Sequence, residues 1–465
     1  MKTTTRSRHL PLAALTAIAL ATTSLVPAPS RAETFTWSPD GGGDWDTATN
    51  WTQNAVPDAA DADVTVTTTE SGSTILLGNA STTVHNLSAT TNGGTTLNFA
   101  SANTSGSYAL NITGTLKKNN GSSTIAFYNY NAGRNLNLTV NTLDFAANGN
   151  FYFGRSDGGR QINTLAIGAL NMGYNGNTTN NLGFNVAANY TLGDVTLGGS
   201  NTKNVYLISN SSTGAGYSRT ATIKSLTQTS GAAATIHGSQ RAASTGANTA
   251  TLKIDTDAAT AFTATTILAD GTGGTLALLK TGAGQQTLSG ALAHTGGTTV
   301  EQGTLVLTGS LAATGDLTIA NGATLVAGTA LTLHDAALES GAILGFDLGA
   351  DAKLNLAGNL TLQGDTTSNP VSLVIDFRNT GIAGNSYNGL LSVAGTNAFS
   401  NANATVTYIN FGAEGLSGTL GMDELTGGFV IGTAIPEPAI LAPVLGTLAL
   451  LASIVVRRRI HALRA

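Results

Sequence analysis

Residues 274–308 read GTLALLKTGAGQQTLSGALAHTGGTTVEQGTLVLT. The pieces 276–279, 286–289, 298–300 and 304–307 are short runs of Leu, Val and Thr, each closed by glycine at Gly282 and Gly284, at Gly296 and Gly297, or at Gly303. Runs of four or five residues at intervals of roughly ten, punctuated by turn glycines, predict short strands stacked as coils or arrayed in a sheet. No 3.6-residue periodicity intervenes, which excludes a βαβ arrangement.

The same texture spreads in both directions. Downstream, 316–319, 323–326, 330–333, 342–344, 353–356 and 359–362 recur at short intervals; upstream, 73–77, 136–140, 194–197 and 251–254 repeat the pattern less cleanly. Each run would turn Leu, Ile or Val inward at period two and Thr, Asn or Lys outward. This predicts an all-β chain forming one continuous β-solenoid, a β-helix. Two or three β-sandwiches are the rival, since local periodicity does not separate the two. Asn111, Asn135, Asn137, Asn163, Asn171 and Asn355 sit in or beside strand runs, where stacked coils would let amides bond in ladders along the axis. Ordinary turn positions are the alternative reading for them.

Composition narrows the chemistry. The chain has 465 residues, of which 57 are Gly and 73 Thr, only 10% are charged, and none is Cys. Disulfides, thiolate nucleophiles and Cys-based metal sites are therefore excluded. Residues 1–32 carry Lys2, Arg6 and Arg8, then an apolar run, then Ser30-Arg31-Ala32, the pattern of a secretory signal peptide cleaved after Ala32. A short N-terminal helix is the alternative. Residues 439–456 are 18 residues without a charge, followed by Arg457, Arg458 and Arg459, which predicts a transmembrane helix with its C-terminal end in the cytoplasm and the bulk of the chain outside it. Eight of the 21 Lys and Arg residues lie in these end segments, leaving 13 against 26 acids. An acidic exported region whose only basic pair is Lys117-Lys118 is no nucleic-acid binder.

Two resemblances follow from these residues. Lys280-Thr-Gly282-Ala-Gly284, Leu288-Ser-Gly290, Thr295-Gly296-Gly297-Thr298 and Gly303-Thr-Leu305 resemble the autotransporter-associated β-strand repeat, also called the passenger-associated transport repeat. That resemblance implies a right-handed parallel β-helix of the kind found in autotransporter passengers. The chain departs from autotransporters in ending on one apolar helix rather than a transmembrane barrel. Ile435-Pro436-Glu437-Pro438, the apolar stretch and the arginines Arg457 to Arg459 resemble a PEP-CTERM sorting signal. This second resemblance implies inner-membrane retention after export, processing by an exosortase-type enzyme, and an association with exopolysaccharide; a plain single-pass anchor is the alternative. The expected organisation is a signal peptide (1–32), a Trp-rich cap (33–66), an irregular solenoid (67–267), the repeat region (268–430) and the sorting tail (431–465).

Trp37, Trp45 and Trp51 are the only tryptophans and fall together in the proposed cap. They would either plug the first coil or stack on sugar rings. Parallel β-helices also host polysaccharide-cleaving enzymes, so paired carboxylates matter. The candidates are Asp255 with Asp257, Asp61 with Asp63, and Asp44 with Asp46. Gathering Asp255, Asp257 and a Lys or Arg within about 6 Å would favour an enzyme. Asp58, Asp61 and Asp63 lack the spacing of a calcium loop, and His85, His237, His294 and His334 are isolated, as surface or coil-edge residues would be. The expectation is a non-enzymatic solenoid of the cell envelope or extracellular matrix, structural or adhesive, with no cofactor and no metal. A polysaccharide-cleaving enzyme and a glycan-binding module are the alternatives.

Overall fold

The computed structural model describes residues 33–430, apart from 79–80, 92–94, 102–105, 120–122, 131–133, 155–159, 177, 210–215, 230–232, 242, 244–245, 313–314, 349–351, 377–385, 388, 401 and 410–428. The signal segment with Ala32, the motif Pro436-Glu437-Pro438, the apolar stretch and Arg457 to Arg459 lie outside the described residues. Among the described residues no helix is long and apolar enough to cross a membrane.

The chain winds into a β-solenoid with two sheets of fourteen strands and a third of seven. Within these three sheets every pairing between strands is parallel, each strand bonding to its equivalent one coil on. The sandwich alternative is thereby removed, because sandwiches are built on antiparallel sheets. Antiparallel contacts among the described residues are confined to Ser386–Tyr387 with Phe429–Val430 and to a bridge between Trp37 and Trp51.

Two cross-sections follow one another along the axis. From Ala59–Thr68 to Ser218–Gln228 the first-face strands are long, reaching 14 residues in Gly106–Asn119, and coils are up to 31 residues, as between Asn189 and Thr220. From Ala261–Ala264 onward a third face appears and each coil holds three short strands; Asp316 and Asp335, at equivalent corners, are only 19 residues apart. The change falls on Ser218–Gln228. Its residues through Ile223 pair with Asn248–Asp255, and the strand also packs against Ala261–Ala264, the first strand of the new face.

Alternation fills the interior. In Gly274–Thr281 Leu276 and Leu278 point inward, and so does Lys280. In the wide coils the core is aromatic: Phe99, Phe127, Phe153 and Phe184 share one register position on four successive coils. Phe99 and Phe127 stack at 4.6 Å and 8°, and Phe153 and Phe184 at 5.6 Å and 6°. Such pairs add about 0.5–1.5 kcal/mol each beyond the area they bury. The narrow coils substitute Leu, Ile, Val and Ala.

The corner preceding the first face repeats one device. An Asp, Asn or Ser side chain accepts the backbone N–H at the equivalent position one coil on: Asp58 from Thr83, Ser81 from Ala109, Asn189 from Thr220, Asp316 from Asp335, Asp335 from Asn359 and Asn359 from Thr396. Short polar side chains suit this place because they satisfy backbone donors that a turn leaves unpaired.

The predicted amide ladders are present in part. Asn163 donates to Asn135 at 2.6 Å and Asn135 to Ser107 at 3.2 Å; Asn171 donates to Asp144, Asn111 to Thr83, and Asn137 accepts from Thr164. On the second face an unbroken run goes from Asn204 to Asn181 to Asn150 to Thr124.

Candidate functional site

The first-face strands of the wide coils share an irregularity that shapes a groove. Thr113 and Gly114 together oppose the single residue Asn141, an extra residue that bends the strand. One coil on, a Cβ at Gly168 would sit 2.7 Å from the Asn141 carbonyl oxygen; one further, Gly193 takes a φ of +51°, and a Cβ there would sit 1.7 Å from the Gly168 carbonyl oxygen. These glycines let the bend stay in line from coil to coil. Along it runs an open groove of about 320 Å³, lined by Asn111, Thr113, Thr139, Asn141, Gly168 and Thr191 together with the strand residues between them. No charged residue lines it.

The tryptophans are not available to a ligand. Trp37, Trp45 and Trp51 are 4%, 0% and 1% exposed, and their rings meet edge to face at 5.0 Å and 4.8 Å. The Trp51 indole N–H donates to the Trp45 carbonyl at 2.8 Å, and that of Trp37 to Gly41 at 3.2 Å. The idea that these rings stack on sugar is thus corrected: they are part of the core beside Thr34–Thr36, the first strand of its sheet.

The carboxylate pairs fare differently. Lys224, one coil before Asp255, lies 3.6 Å from the Asp255 carboxylate and 3.1 Å from that of Asp257, so the grouping named as the mark of the enzyme alternative does assemble. It is a surface group, with side chains 49%, 33% and 74% exposed respectively, and the groove lies elsewhere. The Asp257 hydrogen bond, seconded by the charge of Asp255, raises the Lys224 pKa. Exposed pairs of this kind contribute about 0–1 kcal/mol. Asp63 accepts from Asn86 at 2.7 Å and lies 3.1 Å from His85, while Asp58 holds the Thr83 N–H. Among the described residues the three acids do not gather into a cation site. One group of metal-ligating type was not anticipated: Asp316, His334 and Asp335, whose ligand atoms lie within 4.8 Å of one another on the surface. No sequence spacing announces it, because the coil, not the chain, brings Asp316 to His334.

Several residues expected outside lie inside. Lys118, Lys203 and Lys280 are fully buried. The Lys280 ammonium donates to the carbonyls of Thr281 and Gly282 in its own turn, and to Gln302 at 3.2 Å in the next. Gly282, with φ +70°, and Gly303, also +70°, stack so closely that a Cβ on Gly303 would be 2.3 Å from the Gly282 oxygen. The Lys-x-Gly-x-Gly segment is therefore a staple joining two corner turns. Lys203 does the same on another face, donating to Tyr174, to the Asn201 carbonyl and to the Asn201 side chain. Burial pushes all three ammonium groups down to about 8. At Lys203 and Lys280 the accepting oxygens favour the charged form. His294 is also buried, contrary to the surface expectation; its Nε2 is 2.9 Å from the Thr298 hydroxyl, and burial pushes its pKa down to about 4.

Comparison with known families now bears on this staple. The passenger-associated transport repeat matches residues 278–307 and 302–327. This chain is a β-solenoid repeat protein. The first match contains Lys280, Gly282 and Gly303, so the residues that carry the likeness are those that hold successive corners together. The second match falls on a stretch whose sequence shows the pattern only loosely. No curated protein and no solved structure matches the chain.

Proposed function

We propose that this protein is an exported structural or adhesive element of the cell envelope or extracellular matrix, with no catalytic role. The observation that carries this reading is the solenoid with passenger-associated transport repeats: a long rigid body whose outer faces present Thr and Asn in ladders and little charge. Such faces suit repeated contacts with neutral, hydroxyl-rich polymers. Export follows from residues 1–32, and retention and hand-on from Pro436-Glu437-Pro438, the apolar stretch 439–456 and Arg457 to Arg459, with an exosortase-type enzyme as the processing partner. Intact mass spectrometry of the protein from separated host membranes and matrix tests this. A species beginning after Ala32 and ending near Pro438 in the surface or matrix fraction is the expected result. Full-length protein confined to the cytosol would sink the proposal.

A second reading, polysaccharide cleavage, is favoured by one observation, the approach of Lys224 to Asp255 and Asp257. Its check is shortening of neutral or acidic polysaccharides by the purified protein, lost on Asp255→Asn or Asp257→Asn. Unchanged chain length would close this alternative.

A further inference from the structure

The geometry points to the groove along the bends of the first-face strands as a binding site for a neutral polysaccharide chain lying parallel to the solenoid axis. This inference deepens the adhesive reading above and rests on it.

Four successive coils build the groove, contributing 111–113, 139–141, 166–168 and Thr191. With coils stacked at about 4.8 Å, it extends for roughly 15 Å, the length of a few sugar residues in an extended chain. Its polar side chains come from three of those coils, Asn111 and Thr113, Thr139 and Asn141, and Thr191, while the coil between the last two presents Ala166 and Gly168. Thr113, Thr139, Asn141 and Thr191 are exposed, and the Thr139 and Thr191 hydroxyls and the Asn141 amide make no side-chain hydrogen bond within the described residues. By contrast the second-face amides Asn150, Asn181 and Asn204 spend theirs on one another. Hydroxyl and amide groups both donate and accept, as a sugar hydroxyl does. Methyl groups of Thr139, Ala166 and Thr191 supply apolar surface between them for the C–H faces of a ring. The absence of charge from the lining favours a neutral polymer, because a uronate or sulfated chain would be desolvated there with no cation to pair it. The Gly168 position keeps the floor low: any side chain there would press on Asn141.

Affinity electrophoresis tests this with the full-length protein in a sugar-free detergent. Native gels would contain hydroxyethylcellulose, dextran, galactomannan or, as the charged comparison, polygalacturonate. Expected is retardation by at least one neutral polymer, stronger than by polygalacturonate. Asn141→Asp and Thr139→Asp should each weaken it at least about tenfold, since each buries a carboxylate against the chain. Thr332→Asp, exposed on the second face of the narrow coils, should leave it within about twofold of the parent. All three sites face outward, and Thr191→Asp offers a further groove variant should one fail to fold. Retardation by no neutral polymer, preference for polygalacturonate, or full retardation of the groove variants would overturn the site. Localisation of the processed protein is read separately by mass, so failure here leaves the envelope role standing.

Discussion

The wide and narrow coils solve the same problem with different means. In the wide coils, long bent strands enclose an interior where Leu, Ile and Val are joined by the phenylalanine column Phe99, Phe127, Phe153 and Phe184 and by the buried Tyr190, whose hydroxyl donates to the Leu207 carbonyl at 2.7 Å. In the narrow coils three short strands close a smaller section around Leu, Ile, Val and Ala, while corner side chains and lysine staples serve both kinds of coil, Asp58, Asn189 and Lys203 in the wide and Asp316, Asp335 and Lys280 in the narrow. The first kind of coil adds a column of large aromatic contacts to its aliphatic core; the second relies on small aliphatic ones. Because each strand is hydrogen-bonded to its equivalents one coil away, the two halves should respond to damage largely separately.

The largest test of that difference is Phe127→Ala. Phe127 stacks on Phe99 and lies 5.8 Å and 6.1 Å from Phe151 and Phe153, so its removal empties the centre of the column. A loss of about 3–5 kcal/mol is expected. Hydrogen-exchange mass spectrometry should show faster exchange across 96–184 with peptides beyond 274 little changed; uniform acceleration along the whole chain would mean that the halves are one cooperative unit.

The contrast also explains what could be read from the sequence. The narrow coils were legible because each strand is closed by a glycine within a few residues and the turn chemistry repeats, so a short window contains a whole coil. In the wide coils one period exceeds any such window, the extra residue at Thr113 and Gly114 shifts the alternation of its strand, and partners such as Phe99 and Phe127 are a full long coil apart. The solenoid and its parallel stacking were thus readable, and the tryptophans as interior residues were one of two stated options. The groove was not, since it exists only where four coils align. The burial of Lys280 was not legible for a physical reason: a lysine in an alternating strand is ordinarily solvent-facing, and the carbonyls at a corner make the interior acceptable. The Lys224 trio joined residues some thirty positions apart, which no local motif encodes.

Acid offers a second way to separate the halves. His294, in the narrow coils, has its pKa pushed from about 6.5 to about 4 by burial, with Asp270 working weakly the other way. Between those values the unfolded chain binds a proton that the folded one refuses, so stability is lost as pH falls from 6.5 toward 4 and is fully present above 6.5. The loss amounts to roughly 3 kcal/mol at 1.36 kcal/mol per unit. His237, in the wide coils, is also shifted down by burial. His294→Gln keeps a group able to bond Thr298 and should remove the acid sensitivity of exchange in 274–340 while leaving that around His237. An unchanged pH profile in 274–340 would show that His294 does not control it.

The smallest expected effect in stability bears on the join itself. Gln286 lies in the third face, fully buried, yet its side-chain amide reaches past Phe262 to the backbone of Leu226: Oε1 accepts from the Leu226 N–H at 3.1 Å and Nε2 donates to the Leu226 carbonyl at 3.0 Å. This is the pair of bonds that a neighbouring strand would make, supplied by a side chain from 60 residues away in the chain. It occurs where the cross-section changes and Ser218–Gln228 passes from a two-sheet to a three-sheet arrangement. Gln286→Leu preserves bulk but leaves one donor and one acceptor unpaired in the interior, a cost of about 1–3 kcal/mol. Its more telling consequence lies in cooperativity. The substitution weakens the contact between two stacks that are each continuous on their own side, so calorimetry should resolve a melting transition for the wide coils and another for the narrow ones where the parent shows closer coupling. A single, merely shifted transition in the variant would locate the coupling in the first-face ladder from Ser218–Gln228 to Gly274–Thr281, which runs through the junction without interruption.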